Sequence, residues 1–173
     1  AGSGVAVAAN FAVAAVGTET SGSITSPSSL NSVVGLKPTV GVLSRTGIVP
    51  ISSTLDTPGP MTKNVTDNYI LLKAMLGKDT TDAASISYEL DAELEMDAPL
   101  KGKRVGVLKS LLTDSIYAET MGTLRKAGAE LITISPPEVS FAGFITLLNI
   151  EMKHDLPTYL TTHASTSVKI NSI

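Results

Sequence analysis

The sequence predicts an α/β fold, and three observations predict it. Residues 104–135 run through a strand pattern (RVGVLKS, 104–110), a helix pattern (Ser115–Ala127, closed by Gly128) and a second strand pattern (ELITIS, 130–135). A run of this length makes a parallel strand pair joined by a right-handed helical crossover. Residues 64–77 (NVTDNYILLKAMLG) carry a helical apolar period. Hydrophobic residues make up 43% of the 173 and charged residues only 17%, against about 25% in an ordinary soluble domain, so the chain has a core to bury and is not disordered.

Taken in order, residues 4–16 (GVAVAANFAVAAV) are apolar on every side. That makes a buried helix or a buried strand; length and alanine content favour a helix for most of the stretch, and such a helix must be enclosed by other elements. At the 12 or so residues it offers it is too short to cross a bilayer, which takes about 20. Residues 17–32 (GTETSGSITSPSSLNS) are small, polar and glycine-bearing, a loop. Pro38, Pro50, Pro58 and Pro60 punctuate a long irregular section from 35 to 61, a length uncommon in a compact domain unless it is functional. In the helix at 64–77, Val65, Tyr69, Leu72 and Leu76 form the stripe, widened by Ile70 and Met75. Asn64 is the expected N-cap with Asp67 at N3, close to a capping box, and Gly77 the expected C′ residue. Residues 78–102 read as acidic and connective. A last helix, 141–155 (FAGFITLLNIEMKHD), is expected to break at Pro157.

Charge and composition exclude several functions. A net charge of −3 leaves no basic footprint for nucleic acid or an anionic membrane. With no cysteine there are no disulfides, no thiolate zinc site and no cysteine nucleophile. Two histidines, His154 and His163, leave little room for a histidine-rich metal site, and no cofactor is implied. Ala1 is not an initiator methionine, no signal peptide precedes it, and VKINSI (168–173) stops without turn or cap. Both ends are therefore expected to be cuts in a longer protein.

The densest chemical signal is Gly17-Thr18-Glu19-Thr20-Ser21-Gly22-Ser23-Ile24. A serine in a tight glycine-bearing turn after a buried apolar element can sit where successive N–H groups converge, the arrangement that stabilises an oxyanion beside a hydroxyl nucleophile. From spacing alone a serine/glycine loop capping a helix fits the same residues. A serine also needs a base. His154, in a charged cluster with Glu151 and Lys153, reads as solvated, and His163 lies in a threonine-rich stretch read as a loop. The local pattern is not the G-x-S-x-G elbow of the α/β-hydrolases.

Three stretches, GTETSGSI (17–24), VVGLKPTVGVLSRTGIVPIS (33–52) and LDTPGPMTKNVTD (55–67), resemble the amidase signature family. That family's core reads approximately G-G-S-S-G-G-S, G-T-D-T-G-G-S-I-R, G-L-K-P-T and S-L-D-T-x-G-P-M-x-R-x-V-x-D. The match is continuous over residues 1–67. LLNIEMKHDLPTYL (147–160) resembles a segment of the family's peptide-amidase-like branch, E-x-K-x-x-L-x-x-Y-L. The resemblance implies a partial amidase domain over 1–173, a mixed β-sheet flanked by helices and truncated at both ends. Residues 1–67 would be its signature region, and 68–173 the following helices and βαβ unit. It implies a cytoplasmic serine hydrolase that cleaves a carboxamide C–N bond through a Ser–cis-Ser–Lys mechanism, acting on a small-molecule or peptide amide. The rest of the parent chain is expected as a partner, with no nucleic acid and no membrane.

Residue by residue, the resemblance makes Ser23 the nucleophile and the backbone N–H groups of Thr20, Ser21, Gly22 and Ser23 the oxyanion hole. Glu19 becomes the acidic residue that holds the loop. Ala1-Gly2-Ser3 matches the stretch after the bridging serine, which would fall just before residue 1, and the catalytic lysine lies further upstream. Ser3 and Lys37 match non-catalytic positions, so the chain alone is expected to be inactive. Thr25 stands where many members have Arg, a change expected to alter local anchoring or specificity. Ser21 stands where many have Gly, tolerable if its φ stays negative. Two other readings remain. One is the amidase subunit of a tRNA-dependent amidotransferase, against which the 151–160 segment argues. The other is a non-catalytic α/β binding module.

The remaining candidates read as structural. Lys37 should cap carbonyls or pair with an acid, and Asp56 and Asp67 should serve a turn and a helix cap. Met61, Met75, Met96, Met121 and Met152 fill gaps. The acidic run 89–97 (ELDAELEMD) lacks calcium-loop spacing and reads as a solvated segment. Tyr159 should pack in the core rather than line a substrate pocket.

Overall fold

The computed structural model describes residues 1–91, 94, 99–165 and 167. Most of the acidic run 89–97, Met96 with it, and the closing VKINSI stretch lie outside the described residues. The fold is mixed α/β, in two compact units, Ala1–Ala92 with Ala142–Ile173, and Glu93–Phe141. No helix among the described residues is long and apolar enough to cross a membrane.

The first unit opens with α1 (Gly2–Ala8) and β1 (Ala14–Glu19), not with one long helix. Asn10 causes the break. It takes φ 63°, the left-handed conformation that asparagine tolerates. Its N–H donates to Val7 O (3.2 Å) and that of Phe11 to Ala6 O (2.8 Å), the paired bonds of a Schellman stop. Nor is the stretch enclosed: Val7 is buried, but Phe11 and Val13 are more than four-fifths exposed. The expected loop at 17–32 is also shorter than read. Its start belongs to β1 and its end to α2 (Thr25–Leu30), whose Pro27 lies in the first turn, where its missing N–H has no intrahelical partner to lose.

The section read as irregular holds a strand at its end, β3 (Thr57–Thr62), all six residues of which are buried. It is the centre of a three-stranded antiparallel sheet, β1–β3–β2, with β2 spanning Val34–Gly35. Two prolines argue against a central strand, but their spacing resolves the conflict. Pro60 O accepts from Leu36 N (3.1 Å) on the β2 side. A residue's N–H and C=O share one strand edge, so the missing donors of Pro60 and Pro58 both face that edge. There β2 is two residues long, and the β1 edge keeps its donors at Thr57, Gly59 and Met61.

Each strand contributes a glycine to one hollow. A Cβ added at Gly17 would lie 3.2 Å from Ile24 Cγ1, at Gly35 3.0 Å from Ile24 Cγ2, and at Gly59 2.8 Å from Ile24 Cδ1. Ile24, fully buried, fills the space those three residues leave open. Burying an isoleucine side chain is worth about 1.5–3 kcal/mol, and here it also fixes where the chain between β1 and α2 must run.

Helix α3 (Val65–Met75) starts as expected. Asn64 Oδ1 accepts from Asp67 N (2.8 Å), and Asn64 Nδ2 donates to Asp67 Oδ2 (2.9 Å). The helix leaves through extended Leu76 before Gly77. Its buried residue is Asn68 rather than the outer members of the apolar stripe; Val65 and Ile70 are exposed. Asn68 Nδ2 donates to Val34 O (3.1 Å) and Pro60 O (3.0 Å), which binds the helix to two strands. Segments 41–46 and 79–86 are joined by an Arg45–Asp82 ion pair of 2.6 Å and by Ile86 N donating to Gly41 O (2.9 Å). Arg45, first through its hydrogen bond, holds the Asp82 carboxyl down to about 2.

Helix α5 (Phe144–His163) begins later than expected, after a left-handed Gly143, and runs through Pro157. An interior proline costs about 3 kcal/mol, and anchors on both sides of it offset that cost. Glu151 and Asp155 bind residues 52–54 before it, and Tyr159 donates to Gly47 O (3.3 Å) after it. His163 is therefore the last residue of a helix, not part of a loop.

In the second unit β4 (Arg104–Leu108) and β5 (Glu130–Ile134) pair in parallel, Arg104 opposite Glu130, around α4 (Ser115–Lys126), as the sequence predicts. Asp114 caps α4 by accepting from Tyr117 N (2.8 Å), and Gly128 (φ 98°) ends it.

The hollow under Ile24 makes Gly59→Ala damaging. Its Cβ would meet Leu36 O at 2.1 Å, a backbone atom. The expected loss is about 1–3 kcal/mol of unfolding free energy, read by chemical denaturation. Gly122→Ala, in α4 with no atom within 4 Å, should instead gain about 0.4–1 kcal/mol.

Candidate active site

Between β1 and α2 the chain makes a tight arch, Thr20-Ser21-Gly22-Ser23, pinned from three directions. Ile24 plugs the glycine hollow beneath it. Glu19, at the end of β1 and 5% exposed, closes the base. One of its oxygens accepts from Ile24 N (2.8 Å), Thr25 N (2.9 Å) and Thr25 Oγ1 (3.2 Å). Thr25 thus supplies two donors to the acidic anchor. Burial alone would raise the Glu19 pKa, but the N–H groups of Thr25, Ile24 and Gly22 and the Thr25 hydroxyl outweigh it and hold the carboxyl below its ordinary value. On the third side the Thr20 hydroxyl donates to Asp56. The other Asp56 oxygen accepts from Ile51 N (2.7 Å) and Ser52 N (2.8 Å).

Gly22 takes φ 83°, while Ser21 is not among the residues with positive φ, so serine sits there without strain. Ser23 is exposed and lines a cavity of about 240 Å³ with Ser3, Val16, Gly17, Thr18 and Met61. Among the described residues none accepts from the N–H of Thr20, Ser21 or Ser23, and none bonds the Ser23 hydroxyl. The Gly22 N–H, by contrast, lies toward Glu19. Ser3 is engaged elsewhere, donating to Val16 O (2.8 Å).

Other residues fall where their chemistry is satisfied. Lys37 Nζ donates to Pro38 O (3.2 Å). Met61 is buried, Met75 and Met121 are half-buried, and Met152 is exposed. His154 is solvated, 2.9 Å from Asp155 Oδ1. Both histidines line a separate cavity of about 560 Å³, along with Arg45, Asp82 and Tyr159. Tyr159 is half-buried there, its ring 4.8 Å from that of His163. Neither histidine lines the cavity that holds Ser23. Among the described residues no group of His, Asp or Glu could hold a metal ion.

Sequence reasoning missed the Thr20–Asp56 bond and everything behind it. Ser52 and Thr54 donate their hydroxyls to Glu151, and Ser53 N donates to Asp155 (3.1 Å). The partners lie 97 to 102 residues apart. Two carboxylates one helical turn apart on α5, and a run of hydroxyls at 52–54, were the only signals.

Fold and site together define a mixed α/β protein that presents a serine on a carboxylate-braced, glycine-bearing arch. A family model described as Amidase matches residues 1–168, and the chain belongs to the amidase family. A glutamyl-tRNA(Gln) amidotransferase subunit from Ruegeria sp. (strain TM1040) is 42% identical over 168 residues, covering 91% of this chain and 34% of that protein. Native peptide amidase from Stenotrophomonas maltophilia matches with a TM-score of 0.82 at 39% identity, over 99% of this chain and 37% of that one. An amidase family protein from Bacillus anthracis str. Ames gives 0.85 at 37% identity, over 97% and 35%. The chain therefore spans about a third of the length of these relatives.

The Glu19 anchor predicts a pH dependence. Its folded pKa lies below the unfolded value, near 4.5. Its contribution is thus complete above that value and disappears as pH falls through the lower, folded one. Unfolding free energy should decline over that acid window, and Glu19→Gln should be less stable at neutral pH and lose that part of the decline. Parallel denaturation curves from pH 7 to 3 for the two proteins test this.

Proposed function

We propose that this chain is the nucleophile-bearing segment of an amidohydrolase that cleaves carboxamide C–N bonds, with Ser23 as the acyl-forming residue. One observation carries the reading. The Ser23 hydroxyl is exposed at a cavity on an arch whose N–H groups at Thr20, Ser21 and Ser23 have no partner among the described residues. Unengaged donors grouped about a serine suit an anionic oxygen that is present only during reaction. Similarity to an enzyme named peptide amidase supports an amide, and a peptide amide in particular, as substrate.

Neither His154 nor His163 lines the cavity that holds Ser23, so neither supplies the base in this reading. In the mechanism the resemblance implies, an unprotonated lysine accepts the Ser23 proton through a bridging serine. Ser23 Oγ then forms a bond to the carboxamide carbon, and the carbonyl oxygen takes up the negative charge facing the N–H groups of Thr20, Ser21 and Ser23; the Gly22 N–H, expected among them, is turned to Glu19. Collapse breaks the C–N bond, ammonia or an amine leaves with the proton, and water releases the acid from the acyl-enzyme. The positions matching the bridging serine and the lysine are outside these 173 residues. Loss of a general base costs about 10²–10⁴-fold, so the 173-residue chain by itself should show no ordinary amidase turnover.

A second reading, the amidase subunit of a tRNA-dependent amidotransferase, is favoured by the 42% identity to such a protein. It is opposed by the similarity of residues 151–160 to the peptide-amidase-like branch. Glutaminase activity appearing only with partner subunits and charged tRNA would select it. The main test uses the full-length parent protein. It should release ammonia or amine from carboxamides and react with a phosphonate serine probe, and Ser23→Ala should lose labelling and slow turnover by about 10³-fold or more. A parent that is never labelled and turns over no amide is a binding module, and the hydrolase reading is then wrong.

A further inference from the structure

We infer that Glu151 on α5 is a positioning residue for the Ser23 arch, acting through Ser52, Asp56 and Thr20. The inference rests on the hydrolase reading and adds a residue that the nucleophile loop itself does not contain.

The connection is continuous in hydrogen bonds. Glu151 accepts from the hydroxyls of Ser52 and Thr54, and Thr54 N lies 3.4 Å from the same carboxylate. Those bonds clamp a turn in which Asp56 N donates to Ser52 O (2.9 Å) and Leu55 N to Ser52 Oγ (3.2 Å). The clamped turn presents Ile51 N and Ser52 N to one Asp56 oxygen, leaving the other to accept from Thr20. Thr20 is the first residue of the arch. Ser52 is fully buried and Asp56 is 7% exposed, so water competes little for the links between them and each constrains the next; the Thr54 bonds to Glu151 lie at the exposed end of the route.

The chemistry of each link explains the choice of residue. Ser52 Oγ gives its one proton to Glu151, which orients its lone pairs toward Leu55 N. An acceptor-only carboxylate at 151 can serve both hydroxyls at once; an amide offers one oxygen and an NH2 that must face an acceptor. Asp155, one turn further along α5, also braces the segment, but its bonds go to Ser53 N (3.1 Å) and His154 Nδ1 (2.9 Å), outside the route to Thr20. The two carboxylates thus anchor the same helix while only one is joined to the arch, and this asymmetry separates positioning from simple anchoring.

The test is steady-state kinetics of the full-length protein on a carboxamide. Glu151→Gln should lower kcat about ten- to a hundredfold, the scale of a misplaced reacting group, with KM within about twofold and the cooperative unfolding transition retained. Asp155→Asn should keep kcat within about twofold. Thr20→Val cuts the other end of the route without touching α5, and the double variant Thr20→Val/Glu151→Gln should be no slower than the slower single variant, as expected for members of one chain of contacts. If Glu151→Gln does not fold, Ser52→Ala takes its place in the cycle with the same expectations. Unchanged kcat, equal losses for Asp155→Asn and Glu151→Gln, or losses that multiply in the double variant overturn the inference. Ser23→Ala run alongside keeps the failures apart: if it retains full turnover, the hydrolase reading itself has failed.

Discussion

The arch depends on how Ile24 is buried. A side chain of that size can sit against a three-stranded sheet next to a tight turn only if the sheet recedes beneath it. Gly17, Gly35 and Gly59 provide that recess, one from each strand. Once Ile24 is seated, the residue before it has nowhere to go but outward, and that residue is Ser23. Exposure and a fixed position are opposed demands on a single side chain. The sequence separates the two demands onto neighbouring residues, one fully buried and one open. Glu19 completes the clamp, because a carboxylate that accepts from residues 24 and 25 returns the chain toward the end of the strand it has just left.

The same constraint explains the character of the strands. A sheet that must leave room for an isoleucine cannot carry valine or isoleucine at the positions facing it, so β1 and β3 carry glycine there, at Gly17 and Gly59; Pro58 and Pro60 alternate to the other face of β3. By intrinsic preference these are poor strand residues. They are strands because pairing and burial outweigh propensity, and because the prolines of β3 face the edge where β2 has already ended.

That is why some of the molecule was legible and some was not. The helix at Asn64–Met75 and the βαβ unit obey local rules of cap, period and turn, and both were read close to their observed bounds. The break at Asn10 followed a local rule too, but a single asparagine in an alanine-rich run is a weak signal. β1 and β3 were invisible to periodicity because glycine, alanine and proline are weak strand signals, and what calls for Gly17 and Gly59 is Ile24, which belongs to neither strand. α5 was cut short at Pro157 because what carries the helix through the proline is contact with residues 47–54, about a hundred positions earlier. The arch was legible as a pattern, and its anchor Glu19 as a neighbour in sequence. Asp56 read as a turn residue, since its bond to Thr20 spans 36 positions.

These contacts also bear on why one segment resembles both a peptide amidase and a transamidation enzyme. The glycine hollow, the Glu19 clamp and the Asp56 turn all brace the arch from behind, and none of them needs to touch an acyl or leaving group. An arch built this way tolerates changes in what is cleaved, provided the plug and the clamps stay in place. Thr25 shows the limit of that tolerance. Its hydroxyl adds a bond to Glu19 beside the backbone N–H groups of Thr25, Ile24 and Gly22, so it strengthens the brace. On the proposed hydrolase reading, selectivity then belongs to side chains beyond the arch.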